Sequence, residues 1–301
     1  MWSYITSETG IRLGSAVGVL VVMALLELLT PRRPLTTNKP LRWMNNLGLV
    51  LLNTLVLRLL VSMSAAGVAL FAQSRGWGLF NNVSISVWLA VVTSVVALDF
   101  AIYLQHVMFH AIPVLWRLHM VHHADLDFDV TTGLRFHTIE ILLSFGVKCA
   151  VIVLLGASPL AVVVFEVLLN GTAMFNHSNV RLPGWLDRAL RLVVVTPDMH
   201  RVHHSVIKRE TNSNFGFNLP WWDYLLGTYR DQPANGHESM TIGLSQFRDE
   251  RVGRLPWMLT LPFFGELGPY PINRNGEVPE PRVESGVRSS ISPNVDEMPS
   301  Q

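Results

Sequence analysis

The sequence predicts an all-α fold: a polytopic bundle of membrane helices whose cytosolic face carries a helical cap with a histidine cage. Three observations lead there. Half of the 301 residues are hydrophobic and only 15% are charged, and the mean hydropathy of +0.33 is that of a polytopic membrane protein. The apolar residues are gathered into stretches long enough to cross a bilayer. Eight of the 11 histidines fall in three short clusters that flank those stretches. A net charge of +1 gives no basis for binding nucleic acid. The single cysteine, Cys149, lies in an apolar run, so an intrachain disulfide and a thiolate metal site are both excluded. Any metal ligands must be nitrogen and oxygen.

The first apolar stretch runs from Ile11 to Leu29. It is too long for the core of a signal peptide. Its positive charges follow rather than precede it, and no small-x-small site is evident, so it reads as an uncleaved membrane helix. Arg32, Arg33, Lys39 and Arg42 come next. Asn46 to Phe71 is a second span, interrupted by Arg58, and Gln73 to Ser84 is a short loop. Ile85 to Tyr103 is a third span that leads directly into His106. Ile139 to Asn170 is almost uniformly apolar but broken at Gly156-Ala-Ser-Pro159, which suits a hairpin of two helices, crossing fully or re-entering.

The positive charges at 32–42 mark a cytoplasmic loop. The second and third spans return the chain to that side, and so does the hairpin. All three histidine clusters then meet on the cytosolic face of an inner or endoplasmic-type membrane. Residues 182–195 read as an interfacial amphipathic segment. Thr196-Pro197-Asp198 has the hydroxyl, the proline and the acid of a helix start. The chain divides into N-terminal membrane helices (1–84), a histidine-rich catalytic region (85–235), a peripheral segment (236–270) and a disordered tail (271–301) rich in Pro, Ser, Asn and Glu.

The clusters are His106-Val-Met-Phe-His110, His119-Met-Val-His122-His123 and His200-Arg-Val-His203-His204. Residues three and four apart share a helix face, so each cluster presents its imidazoles together. One zinc takes about four ligands; eight imidazoles imply two metals. Soluble di-iron bundles mix carboxylates with histidines, whereas these clusters contain no carboxylate. Two redox-active metals with O2 suit C–H oxidation, and two zinc ions suit hydrolysis. A membrane metal carrier or sensor is a third reading, against which counts the gathering of the histidines at one face rather than along the spans.

His177 is a ninth candidate, at the end of a stripe formed by Glu166, Asn170, Ala173 and His177. His137 either completes the ligand sphere or caps a helix beside Glu140. Asp99, Tyr103, His106 and His110 form another stripe. Asp99 cannot reach His106 along its own helix, because seven residues rise about 10 Å. It either orients a ligand from another cluster or pairs with Arg117 or Arg135. Asp99, Glu140 and Asn170 are thus expected behind the ligands rather than among them. The aromatic-dense stretches Asn214-Phe-Gly-Phe and Trp221-Trp222-Asp223-Tyr-Leu-Leu-Gly227-Thr-Tyr229 read as an interface belt by default, or else as a wall for an apolar substrate. His237, isolated in a polar stretch, reads as inert.

The pattern resembles the fatty acid hydroxylase/sterol desaturase family of integral-membrane di-iron enzymes. The matching elements are Asp99-Phe-Ala-Ile-Tyr103-Leu-Gln-His106 through His110, Leu115-Trp-Arg-Leu-His119 through His123, and Thr132-Gly-Leu-Arg-Phe-His137-Thr-Ile-Glu140. They continue with Asn176-His177-Ser-Asn, Thr196 through Ser205, Asn214-Phe-Gly, and Trp222-Asp223-Tyr-Leu-Leu-Gly227-Thr. The likeness covers roughly residues 85–230. Val107 stands where many members have arginine. The resemblance implies two irons and O2 as co-substrate, and hydroxylation or desaturation of a sterol- or fatty-acyl-type lipid within the bilayer. His106, His110, His119, His122, His123, His200, His203 and His204, with His177, would hold the metals. Electrons would come from a separate electron-transfer protein, since the chain has no nucleotide or haem motif.

Overall fold

The computed structural model describes residues 2–273, with side chains from Glu8 onward. Helices account for all the regular structure among them, apart from two isolated bridges, Pro31 with Val180 and Ser205 with Ile242. Five helical segments are long and apolar enough to cross a membrane. In chain order they are α1 (Trp2–Leu29), α2 (Lys39–Leu60) with α3 (Ala65–Ser74), α4 (Val87–Ala111), α6 (Thr138–Leu155) and α7 (Pro159–Asn176). Between them lies α5 (Pro113–His123), and after them the short α8 (Gly184–Leu190), α9 (Pro197–His203), α10 (Lys208–Thr211), α11 (Trp221–Leu226) and α12 (Gly236–Ser239). The apolar α13 (Leu255–Phe264) is last.

The helix starts follow local chemistry. Asn38, Ser64, Ser86, Ser158 and Thr196 each accept a backbone N–H from the first turn of the helix that follows, so an otherwise orphaned donor is satisfied. The second expected span is one crossing with a helical break at 61–64. The expected 139–170 hairpin is α6 and α7, joined at Gly156, whose φ of +67° lies in the left-handed region that glycine tolerates.

α4 is the central post. It packs on α5, α6 and α7, while α1 lies on α7, and α3 on α6 and α7. Leu98, Ile102, Ile152, Val162 and Phe165 fill the space between α3, α4, α6 and α7. A second core joins α5 to α13 through Trp116, Met120, Met258, Leu261 and Tyr270. Phe263 and Phe264 remain exposed on the outer side of α13.

Charged groups tie the N-terminal helices to the loop that leaves α5. Arg42 of α2 is buried against Asp125 at 2.9 Å and Asp129 at 2.7 Å. Asp129 also accepts from the Trp43 indole at 2.9 Å, and Asp127 accepts from Thr36 and Thr37. Glu27 of α1 accepts the backbone N–H groups of Val130 and Asn179 at 2.7 and 2.9 Å. These contacts clamp residues 125–130 and 179, which follow directly on His123 and His177. Toward the other end of the bundle, Glu166 of α7 pairs with Arg12 of α1 at 3.1 Å and with Lys148 of α6. Of the expected 271–301 tail, the first residues are tied down: Ile272 and Asn273 donate to the carbonyls of His110 and Ala111. Residues 274–301 lie outside the described residues.

Candidate metal centre

α4 carries His106 and His110 on one face, four residues apart. The tight Ile112–Pro113 turn brings α5 back beneath them with His119, His122 and His123. His177 caps the C-terminus of α7, α9 supplies His200 and His203, and His204 caps α9. All nine rings are buried, none more than 3% exposed. Their nitrogens fall into two groups. His106, His110, His119, His123 and His203 form one; His122, His177, His200 and His204 form the other. Within each group, one ligand nitrogen from every ring lies within 4.8 Å of the rest.

The tautomers are fixed from outside. Nδ1 of His106 meets the Phe215 carbonyl at 2.8 Å, that of His177 the Ala173 carbonyl at 2.7 Å, and that of His203 the Ser213 carbonyl at 2.7 Å. A carbonyl only accepts, so each Nδ1 carries the proton and each Nε2 keeps a lone pair aimed inward. Nδ1 of His110 meets the Asn212 side chain at 3.0 Å, and that of His119 the Glu140 carboxylate at 2.6 Å. Such partners fix the orientation of metal-binding histidines and raise their basicity.

Inside the cage, Nε2 atoms face one another: His106 and His119 at 3.0 Å, His110 and His123 at 3.1 Å, His177 with both His122 and His200 at 3.1 Å. Two donors about 2.1 Å from one ion and at a right angle to each other would sit about 3 Å apart. Nε2 of His203, both nitrogens of His204 and the Nδ1 atoms of His122 and His200 have no hydrogen-bond partner. Burial first, and the neighbouring rings second, hold His122, His123, His200, His203 and His204 well below the ordinary imidazole pKa. Burial brings His119 and His177 down to about 3. The rings are therefore neutral, and their converging lone pairs repel unless a cation lies between them. This donor set fits two ions that favour imidazole, one to each group.

Gly133 explains how closely the layers approach. A Cβ there would lie 2.5 Å from the Ala173 carbonyl oxygen and 3.1 Å from His177 Nδ1. A cavity of about 330 Å³ lies under the cage. Of the nine rings only His106 and His119 line it, together with Phe136 and Phe217, and it extends down to Asn170 and Arg12.

The residues expected behind the ligands divide. Glu140 touches His119 directly. Asp99 reaches no histidine, Arg117 or Arg135; it accepts from the Trp222 indole at 2.7 Å and from Leu219 N at 3.3 Å. It thereby holds the segment before α11. Asn170 bonds the Glu166 carbonyl and faces the cavity rather than the cage. His137 lies outside both groups: its Nδ1 caps α6 by accepting from Ile139 N, and its Nε2 meets the Leu259 carbonyl. His237 is buried beside Gln232 and Asp198.

Sequence reasoning singled out Asn214-Phe-Gly-Phe as aromatic belt or wall but missed that the 212–216 segment wraps the cage, through Asn212, the Ser213 carbonyl and the Phe215 carbonyl. Asn214, at φ +52°, binds the Met199 carbonyl and both backbone groups of Arg230. Asp223 accepts from Phe215 N, Gly216 N and the Thr228 hydroxyl. Burial pushes its carboxyl up to about 6 against those hydrogen bonds. The alternating acids Asp125, Asp127 and Asp129, directly after His122-His123, were the available signal for the clamp.

A family model for fatty acid hydroxylase matches residues 91–228. These residues belong to the fatty acid hydroxylase family. The chain is 37% identical over 157 residues to the ornithine lipid hydroxylase OlsE of Rhizobium tropici, covering 52% of this chain and 45% of that one. It is 27% identical over 161 residues to human alkylglycerol monooxygenase, covering 51% and 34%. The chain thus spans less than half the length of the curated relatives it matches. No solved structure matches. All nine caged histidines and the Asn212–Phe215 segment lie inside the matched region, as do Asp125 and Asp129; their partner Arg42 and the cavity residue Arg12 lie outside it.

Proposed function

We propose that this protein is an O2-dependent di-iron oxygenase that hydroxylates or desaturates a lipid within the membrane. The observation that carries this reading is the pair of converging, neutral imidazole groups, five and four rings, set over a cavity between membrane helices. Two irons bound there would supply O2 activation and oxidation of a C–H bond. The first group would be held by His106, His110, His119, His123 and His203, the second by His122, His177, His200 and His204. Glu140 and the carbonyls of Ala173, Ser213 and Phe215 fix the rings so that little rearrangement accompanies the reaction. Phe136, Phe217, Ile102 and Phe109 line the cavity; they exclude water and present the substrate to the His106–His119 edge of the cage.

The relatives named for an ornithine lipid and for alkylglycerols support a polar lipid as substrate. Arg32, Arg33, Lys39 and Arg42 lie in the chain just after α1, at the cage end, which supports a cytosolic metal site under the positive-inside rule. Electrons would come from a separate donor protein. The test is expression in a host, followed by lipid mass spectrometry and metal analysis of protein purified without added metal. Two irons per chain, with a lipid that has gained one oxygen or lost two hydrogens in a His122-dependent way, is the expected result. Zinc alone, with esterase or protease activity, would overturn the reading.

A further inference from the structure

On the α4 side of the cavity, one polar residue besides His106 stands in an apolar setting. On α4, Ile102, Gln105, His106 and Phe109 form one helical face, and all four line the cavity. Gln105 is 7% exposed, one residue from His106. Its Nε2 donates to the Ser144 hydroxyl of α6 at 2.9 Å, and its Oε1 has no partner. Ser144 stands four residues, about 6 Å of helix, below Glu140. A buried amide with an open acceptor is uncommon in a folded interior and calls for an explanation. Here the residue that carries it lines the cavity next to His106, one of the two cage rings that meet the cavity. Of the rest of the polar lining, Glu140 holds His119 through one carboxylate oxygen and leaves the other without a partner, which likewise suits a donating group and disfavours an anion. Asn53 spans the Phe136 carbonyl and the Thr138 hydroxyl, and Arg12 is paired with Glu8 and Glu166.

We infer that Gln105, braced by Ser144, is a positioning residue that binds an uncharged hydroxyl or amide group of the lipid substrate. The oxidised carbon then lies within a few bonds of that polar group rather than far along the acyl chain. Both groups donate as well as accept, so either satisfies the amide of Gln105. A carboxylate or phosphate does not, because Gln105 Oε1 would face it without a proton to share. The acyl chain runs away from the cage along Leu57, Ile141 and Leu169 toward the neutral Arg12–Glu166 floor. This inference rests on the proposed lipid chemistry only for the position of oxidation; the binding preference stands apart from it.

The test uses the full iron-loaded chain in detergent, with a saturated long-chain alcohol and the chloroalkane of the same length as probes. One hydrogen bond favours the alcohol about two- to tenfold in affinity. That preference is expected to vanish in Gln105→Leu, with the iron content unchanged. Should Gln105→Leu fail to accumulate, Ser144→Ala is measured instead and is expected to reduce the preference. Equal affinities in the native protein, or a preference untouched by the variant, would overturn the inference. In the activity arm, native protein is expected to give one positional isomer close to a hydroxyl or amide, and Gln105→Leu a mixture with raised KM. Product oxidised far from any polar group would also overturn it. Absence of any oxidised lipid from the native protein, with the alcohol preference intact, would instead count against the proposed reaction.

Discussion

Replacing Asp223 with asparagine tests whether the cage is held from outside. One carboxylate oxygen accepts from Phe215 N at 2.8 Å and from the Thr228 hydroxyl at 2.6 Å; the other accepts from Gly216 N at 2.9 Å. An amide has only one acceptor oxygen, so its NH2 must face a backbone N–H. One hydrogen bond to a charged acceptor is lost, about 1.5–3 kcal/mol, and a buried donor is left open, about 1–3 kcal/mol; the two overlap, so about 2–4 kcal/mol in total is expected. The Phe215 carbonyl that orients His106 belongs to this same turn. Loosening such a partner typically weakens metal binding by about 10- to 100-fold. The measurements are thermal unfolding in detergent and iron retention against a graded chelator series. Asp223→Asn is expected to unfold at lower temperature and to release iron at lower chelator concentration. A variant that unfolds earlier yet retains iron like the native protein would refute the coupling through Phe215. An unchanged unfolding temperature would refute the hydrogen-bond account itself.

Glu140→Gln weakens the acceptor for His119 Nδ1 and is expected to lower iron affinity by about 10- to 100-fold, read by the same chelator series. Arg42→Ala strips Asp125 and Asp129 of their shared buried cation and is expected to cost about 3–5 kcal/mol of stability. Arg42→Lys should recover little of it, because an ammonium cannot replace the guanidinium fork between two carboxylates. Gly133→Ala places a Cβ against the Ala173 carbonyl and is expected to cost about 1–3 kcal/mol and to reduce iron content by displacing His177. Burial brings His237 down to about 4. The unfolded chain therefore takes up this proton first: the stability from its neutral form is complete above about pH 6.5 and is lost as pH falls toward 4. Between pH 7 and 5 the native protein is expected to lose up to about 2 kcal/mol more than His237→Gln, measured on iron-loaded protein by thermal unfolding.

The sequence by itself determined the helices and the cage members. Hydropathy over some twenty residues is a local property, as are the Ser86, Ser158 and Thr196 caps, and three- and four-residue spacing alone puts imidazoles on one face. What it left open turned on contacts between residues far apart in the chain. The sequence favours His177 as a ligand and divides His137 between ligand and cap; the helix start at Thr138 uses up the ring of His137, while the end of α7 delivers His177 to the cage. Asp99 shared a stripe with His106, yet the approach of Trp222 gave it another partner. The division into five and four rings was likewise not legible, because His122 and His123 are adjacent and part only when His123 meets His110 of α4 and His122 meets His177 at the end of α7. Backbone carbonyls such as Phe215 and Ser213 have no side-chain signature at all. Their role exists only where the chain folds back, the Phe215 carbonyl onto His106 of α4 about a hundred residues earlier and the Ser213 carbonyl onto His203 of α9.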